Sequence, residues 1–343
     1  MIFSLVKTVL MSKALSFFLA FICLSGCVKT HYDRSENFQF SWKIGDYKSA
    51  AEEAESLSLN GPKKDRLLHK LEEGSVKRLV GDLNGSVSAF TQASNEYYRW
   101  FGAHLQTETK ISEEFFSVLG SAESKPYKSR VYERVMLRLY QALNYLQLGE
   151  KARARAQIFK SRQAIEDSRE IWKKELSVAR EAMSKKGINL AGGVEAEETN
   201  PLREEFNKIK SMVPPNFPEF VNPAAVYLEA LYFLRTGTQR EDFEKAFFSL
   251  RQLVSLFPEN QWIRDDFEQS KNPSTQKLSS TYVFFETGRA PVRIEKRFDL
   301  PIIFFANQSR IPYLGIALPT IKTNDMFMPF LTIRASNQNK PVR

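Results

Sequence analysis

Tyr140-Gln141-Ala142-Leu143-Asn144-Tyr145-Leu146-Gln147-Leu148-Gly149-Glu150 is the stretch whose reading decides the fold. Val135, Leu139, Ala142, Leu143 and Leu146 recur at helical spacing, so one stripe of this segment is apolar and needs a neighbour to cover it. Ala142 is small enough to let a second helix approach that stripe closely. Gly149-Glu150 then punctuates the run, and a long polar helix is expected near 151–185. The unit is a helical hairpin.

The turn recurs. Gly45-Asp46-Tyr47 and Gly81-Asp82-Leu83 are 36 residues apart, and Gly149-Glu150-Lys151 follows 68 residues after the second. A period of about 34 residues is that of tetratricopeptide repeats, pairs of antiparallel helices with a small residue midway along the first. Aligned on the turn glycine, the first copy carries Ala50, Ala54 and a terminating Pro62. The second carries Gly74, Phe90 and Ala93, and the third Ala142, Tyr145 and Ala154. A fourth copy offers Ala230, Phe233 and Gly237, and an extended turn within Thr238–Asp242 restores Ala246, Leu250 and Pro258 to register. Phe38 stands where a small residue belongs, and Tyr98 where proline does. Helical hairpins of another solenoid type, or a helical array without a repeat, are the alternatives.

Two segments interrupt the pairs. One lies near 100–130, where Trp100 to Phe116 has helical character and a Gly/Ser/Pro loop follows. The other lies near 185–215, where Gly192-Gly193 and the acidic run Glu195–Glu198 point to a flexible loop. Beyond Pro258 and the linker Lys271–Thr275, helical periodicity gives way to β-branched and aromatic runs. Candidate strands are Thr281–Glu286, Val292–Phe298, Leu300–Phe305, Tyr313–Pro319 and Phe330–Arg334. The expected fold is mostly α: a tetratricopeptide-like α-solenoid of helical hairpins over 38–268, with a small C-terminal β-sheet module over 269–335 and a tail over 336–343. The module, of three to five strands, would cap the array.

The N-terminal segment has its own chemistry. Lys7 and Lys13 precede the apolar run Ala14–Leu24, which is shorter than the roughly 20 residues needed to span a bilayer. Met11 is a second possible start. Leu24-Ser25-Gly26-Cys27 reads as a lipobox, with cleavage between Gly26 and Cys27 and lipid attached to Cys27. Residues 1–26 are then the signal peptide and 27–37 a polar lipidated tether. Cys23 leaves with the signal, so Cys27 is the lone cysteine of the mature chain, which excludes a disulfide framework. Val28 follows it, where an inner-membrane retention signal has Asp. That points to the outer membrane, facing the periplasm, and several acyl chains on one cysteine satisfy the need of a stable anchor for more than one chain.

The ensemble resembles a group of proteobacterial outer-membrane lipoproteins with tetratricopeptide-like repeats. The likeness rests on Tyr140–Gly149, Val283–Val292, Asp299-Leu300-Pro301 and Gly315–Pro319. It implies architecture and location, and brings no settled activity with it.

Nothing in the sequence points to catalysis. The net charge of +9 falls to +7 without Lys7 and Lys13, and acids and bases are interleaved, so no nucleic-acid face emerges. There is no Gly-x-Ser-x-Gly, no phosphate-cradling glycine loop and no His-Glu-x-x-His. The three histidines, His31, His69 and His104, are scattered, so no metal site and no cofactor are expected; His69 reads as a surface or half-buried helix position. Glu286 and Glu295 read as solvated strand residues rather than a catalytic pair. A non-catalytic scaffold for envelope protein partners is the expected role, with Tyr97, Tyr98, Trp100 and Phe101 as possible anchors or core residues. A protein that binds or processes cell-wall glycan or polysaccharide, and a structural subunit of a larger assembly, are the other readings.

Overall fold

The computed structural model describes residues 30–105, 127, 129–185, 207, 208, 211, 212, 217, 221–272, 281–288, 290–300 and 314–324. The lipobox, the tail, most of both interruptions and the candidate strand at Phe330–Arg334 lie outside them. The chain divides into two compact units, one of Met1–Gln106 with Val118–Ser129 and one of Thr107–Ser117 with Arg130–Arg343.

The first unit is a run of consecutive helices: α1 (His31–Arg34), α2 (Glu36–Ile44), α3 (Tyr47–Asn60), a 3-10 turn (Lys63–Asp65), α4 (Arg66–Leu79) and α5 (Leu83–Leu105). Residues 30–37, expected as tether, are instead helical from His31. The reason is local: Thr30 Oγ1 accepts from the Asp33 N–H at 3.2 Å, and Asp33 Oδ2 accepts from the Thr30 N–H at 2.9 Å, a reciprocal cap on α1. Each later helix packs on the one before it.

The Gly-Asp turns work as a pair. Gly45 ends α2 with φ 83°, in the left-handed region that glycine enters without steric cost. Asp46 then caps α3, its carboxylate accepting from the Ser49 N–H at 3.1 Å. Gly81 (φ 85°) and Asp82 repeat the device, Asp82 accepting from the Gly85 N–H at 2.9 Å. Gly74 on α4 serves differently: a Cβ built there would lie 2.6 Å from the Phe90 ring of α5, so only glycine permits this approach. Phe38, in the small-residue place, is buried with Ala50, Ala54 and Val76 and fills that core itself.

In the second unit α6 (Val131–Gln147) and α7 (Lys151–Lys185) form one hairpin, turned at Gly149 with φ 77°. α8 (Pro223–Thr236) and α9 (Arg240–Leu256) form the next, and α10 (Gln261–Lys271) packs on α9. α8 touches α6, α7 and α9 and is apolar nearly all round, as a helix covered on several sides must be. Ala142, Ala154, Ala230, Phe233, Ala246 and Leu250 are all essentially buried. Pro62 and Pro258 lie just past the ends of α3 and α9. Gly237 departs from the other turn glycines. Its φ is −60°, and its N–H bonds back to the Phe233 carbonyl, because the extended turn spreads the reversal over several residues.

The C-terminal region holds one pair of strands among the described residues, against the three to five expected. β1 (Val292–Leu300) and β2 (Leu314–Lys322) pair antiparallel in unbroken register from Val292↔Lys322 to Leu300↔Leu314. The segment Thr281–Glu286, expected as a strand, has no regular secondary structure; Tyr282 is held by side-chain bonds, not by a ladder. Tyr282 donates to Asp266 of α10 at 3.0 Å and accepts from Arg235 of α8 at 2.9 Å. No helix among the described residues is long and apolar enough to cross a membrane.

Candidate functional site

The histidines are not scattered in space. Asp65, His69 and Glu72 follow one another at helical spacing from the last residue of the 3-10 turn along α4, which places them on one face. His31 and Arg34, three apart on α1, meet that face. His31 Nε2 and Glu72 Oε1 are 3.0 Å apart, and Arg34 Nη2 donates to Asp65 Oδ2 at 2.9 Å. The two imidazole rings lie 5.3 Å apart, centre to centre. One ligand atom from each of His31, Asp65 and His69 falls within 4.8 Å of the others. The expectation that the histidines are scattered is therefore corrected for two of them: the capped helix at Thr30 carries His31 to α4, and His69, expected at a surface or half-buried position, is 1% exposed. His104 lies on α5; its side chain is outside the described set.

His31 Nδ1, His69 Nε2 and Glu72 Oε2 are among the buried atoms of this cluster that have no hydrogen-bond partner among the described residues. A buried polar atom left unpaired costs free energy, and native structures keep few of them. Burial, then the neighbouring His31 charge, pushes His69 down from 6.5 to about 4, so it is neutral near pH 7. Burial pulls His31 down too, but the Glu72 hydrogen bond and charge outweigh it and hold His31 above its ordinary value.

Farther along α4 the buried charges are matched. Glu73 meets Lys70 at 2.7 Å and Lys77 at 2.9 Å. Burial raises Glu73, yet the lysine hydrogen bonds hold it below its usual range.

The second unit presents a different surface. Arg155 grips Asp242 through two bonds of 3.1 and 2.7 Å, and Arg162 grips Glu229 through two of 2.9 and 2.6 Å. Both carboxylates are buried while the arginines reach the exterior. Phe159 of α7, its ring centre 5.4 Å from Arg155 Cζ, and Phe248 of α9 remain 39% and 53% exposed. Lys245 Nζ stands 5.4 Å from the Phe159 ring centre, and Arg251 Cζ 4.9 Å from that of Phe248. Of the aromatics expected as anchors, Tyr98 is half exposed and in edge contact with Tyr97, while Trp100 and Phe101 side chains are outside the described set. Glu286 is exposed before β1 and Glu295 lies within it.

No protein-family model matches the chain. No curated protein matches it either. Among solved structures it is similar to a tetratricopeptide repeat protein from Parabacteroides merdae ATCC 43184, at 13% identity over 70% of this chain and 98% of that one, with a TM-score of 0.18. A superposition at that score carries no argument. The helical hairpins are established by their own turns and packing.

Proposed function

We propose that the protein is a non-catalytic scaffold, held by lipid on Cys27 at the periplasmic face of the outer membrane, whose helical hairpins dock envelope proteins. The observation that carries the docking half is the exposure of two aromatics under cations, Phe159 of α7 beside Arg155 and Lys245, and Phe248 of α9 beside Arg251. Aromatic and arginine side chains are the types that dominate binding energy when a partner covers them. Helical hairpins repeated in tandem offer an extended peptide or helix a long surface. The anchoring half rests on Leu24-Ser25-Gly26-Cys27 and the apolar run before it.

Cys27→Ser tests the anchor by cell fractionation. The variant is expected in the soluble fraction; retention in the membrane would overturn lipid anchoring. A photo-crosslinking residue at Phe248 in intact cells tests docking, with one protein captured in stoichiometric yield as the expected result. Saturable pelleting with purified cell wall, and no protein captured, would replace the scaffold with a glycan-binding role.

A further inference from the structure

We propose that His31, Asp65 and His69 form a binding site for a divalent transition-metal ion of the zinc type. The inference goes beyond the scaffold reading and does not depend on it.

The donor set is two imidazoles and one carboxylate, the mixture that suits zinc and its neighbours rather than calcium or magnesium, which take oxygen ligands. Three protein ligands leave a fourth position for water, which His31, partly open to solvent, admits. The ligand atoms lie within 4.8 Å of one another; metal bonds of about 2.0–2.1 Å in tetrahedral array would draw them to about 3.4 Å.

The surroundings carry the rest. His31 holds Glu72 through Nε2, which leaves Nδ1 buried and unpartnered, and a metal-bound imidazole commonly donates its other N–H to a carboxylate in this way. His69 Nε2 is likewise buried and unpartnered on a side chain that is 1% exposed. Asp65 is steadied by Arg34, which donates to its Oδ2. With both imidazoles neutral, Asp65, Glu72 and Arg34 sum to one negative charge, which favours a divalent cation. Such an ion would satisfy both orphaned nitrogens and clip α1, a few residues after Cys27, onto α4.

The full-length protein, extracted in detergent and stripped with a chelator, would be titrated with Zn2+ against a chromophoric competitor, and bound metal counted by mass spectrometry. One Zn2+ per chain is expected. His31→Ala and His69→Ala should each weaken binding at least about 100-fold, and Glu72→Gln, which removes the carboxylate that orients His31 together with one negative charge, about tenfold. His104→Ala should change nothing. Circular dichroism identifies any variant that fails to fold, and His31→Gln at the chain-proximal end of the helical body serves as the second test of the first ligand. Zn2+ should also slow amide exchange in α1 and the start of α4. Absence of stoichiometric Zn2+, or binding untouched by both histidine substitutions, would overturn the site. Neither result bears on the fate of Cys27→Ser.

Discussion

α4 and α8 occupy equivalent places, each the first helix of a hairpin, yet their interiors are built from different chemistry. α8 buries Ala225, Val226, Leu228, Ala230, Leu231, Phe233 and Leu234, and its one buried charge, Glu229, is gripped by Arg162. α4 buries His69, Lys70 and Glu73 alongside only Leu67, Gly74 and Val76. A helix core can thus be closed by apolar volume or by matched charge. The first is indifferent to pH and sensitive to lost methylenes; the second is the reverse.

The largest expected effect tests the apolar side. Phe233 is fully buried, packs edge-on to Tyr232 and lies 5.6 Å from the Phe159 ring. Phe233→Ala should cost about 3–5 kcal/mol, because the cavity sits between helices that touch on several sides and collapse little. Denaturant midpoints would measure it, and hydrogen exchange should show the loss concentrated in α8 and α9. A cost under about 1 kcal/mol would mean that α8 is not the closed core it is described as here.

Much of this contrast was legible in the residues. The left-handed glycines at 45, 81 and 149 and the buried alanines at 50, 142, 154, 230 and 246 follow the spacing of the hairpin pattern, because turn and close-approach positions admit few residue types. Gly237 did not follow: four extra residues in its turn remove the need for positive φ. The histidine cluster was hidden for another reason. Asp65, His69 and Glu72 are a readable face, but His31 comes from a segment whose polar composition suggests a tether, and only the Thr30–Asp33 cap turns it helical. The segment Thr281–Glu286 reads as a strand because Tyr, Val and Phe favour strands; Tyr282 is instead tied to Asp266 and Arg235.

The next effect tests the charged side and concerns the metal-free protein. His69 is near 6.5 when unfolded and about 4 when folded, so between those values the unfolded chain holds a proton that the folded chain does not. Stability contributed by neutral His69 is complete above about 6.5 and falls as pH drops towards 4, by roughly 3 kcal/mol in all. His31, held above its ordinary value, has the opposite sense: its contribution is full below 6.5 and is lost as pH rises through its raised value, so it adds no slope in this window. Glu73 and Asp242, both depressed, keep theirs until pH falls below their ordinary values of 4.5 and 3.8. Exchange protection in α4 and α5 should therefore weaken from pH 6.5 to 4.5 while α8 and α9 hold. His69→Gln should flatten that difference. Parallel loss in both units would erase the distinction.

The smallest effect asks whether the turns, unlike the cores, are the same in both units. Gly81 of the first and Gly149 of the second have φ of 85° and 77°, and a Cβ at either would meet nothing within 4 Å. With no steric clash, Gly→Ala there measures backbone conformation alone, about 1–2 kcal/mol for a non-glycine residue in the left-handed region. The two substitutions should cost the same to within about 0.5 kcal/mol in thermal or denaturant unfolding, since they act through one local mechanism, and asparagine at either place should recover part of the loss. A marked inequality would show that the glycine is tuned by the core beneath it, and the two kinds of interior would then differ in their turns as well. Equality would separate the two levels of the design: a common turn sets the hairpin, and each core is free to choose apolar or ionic closure.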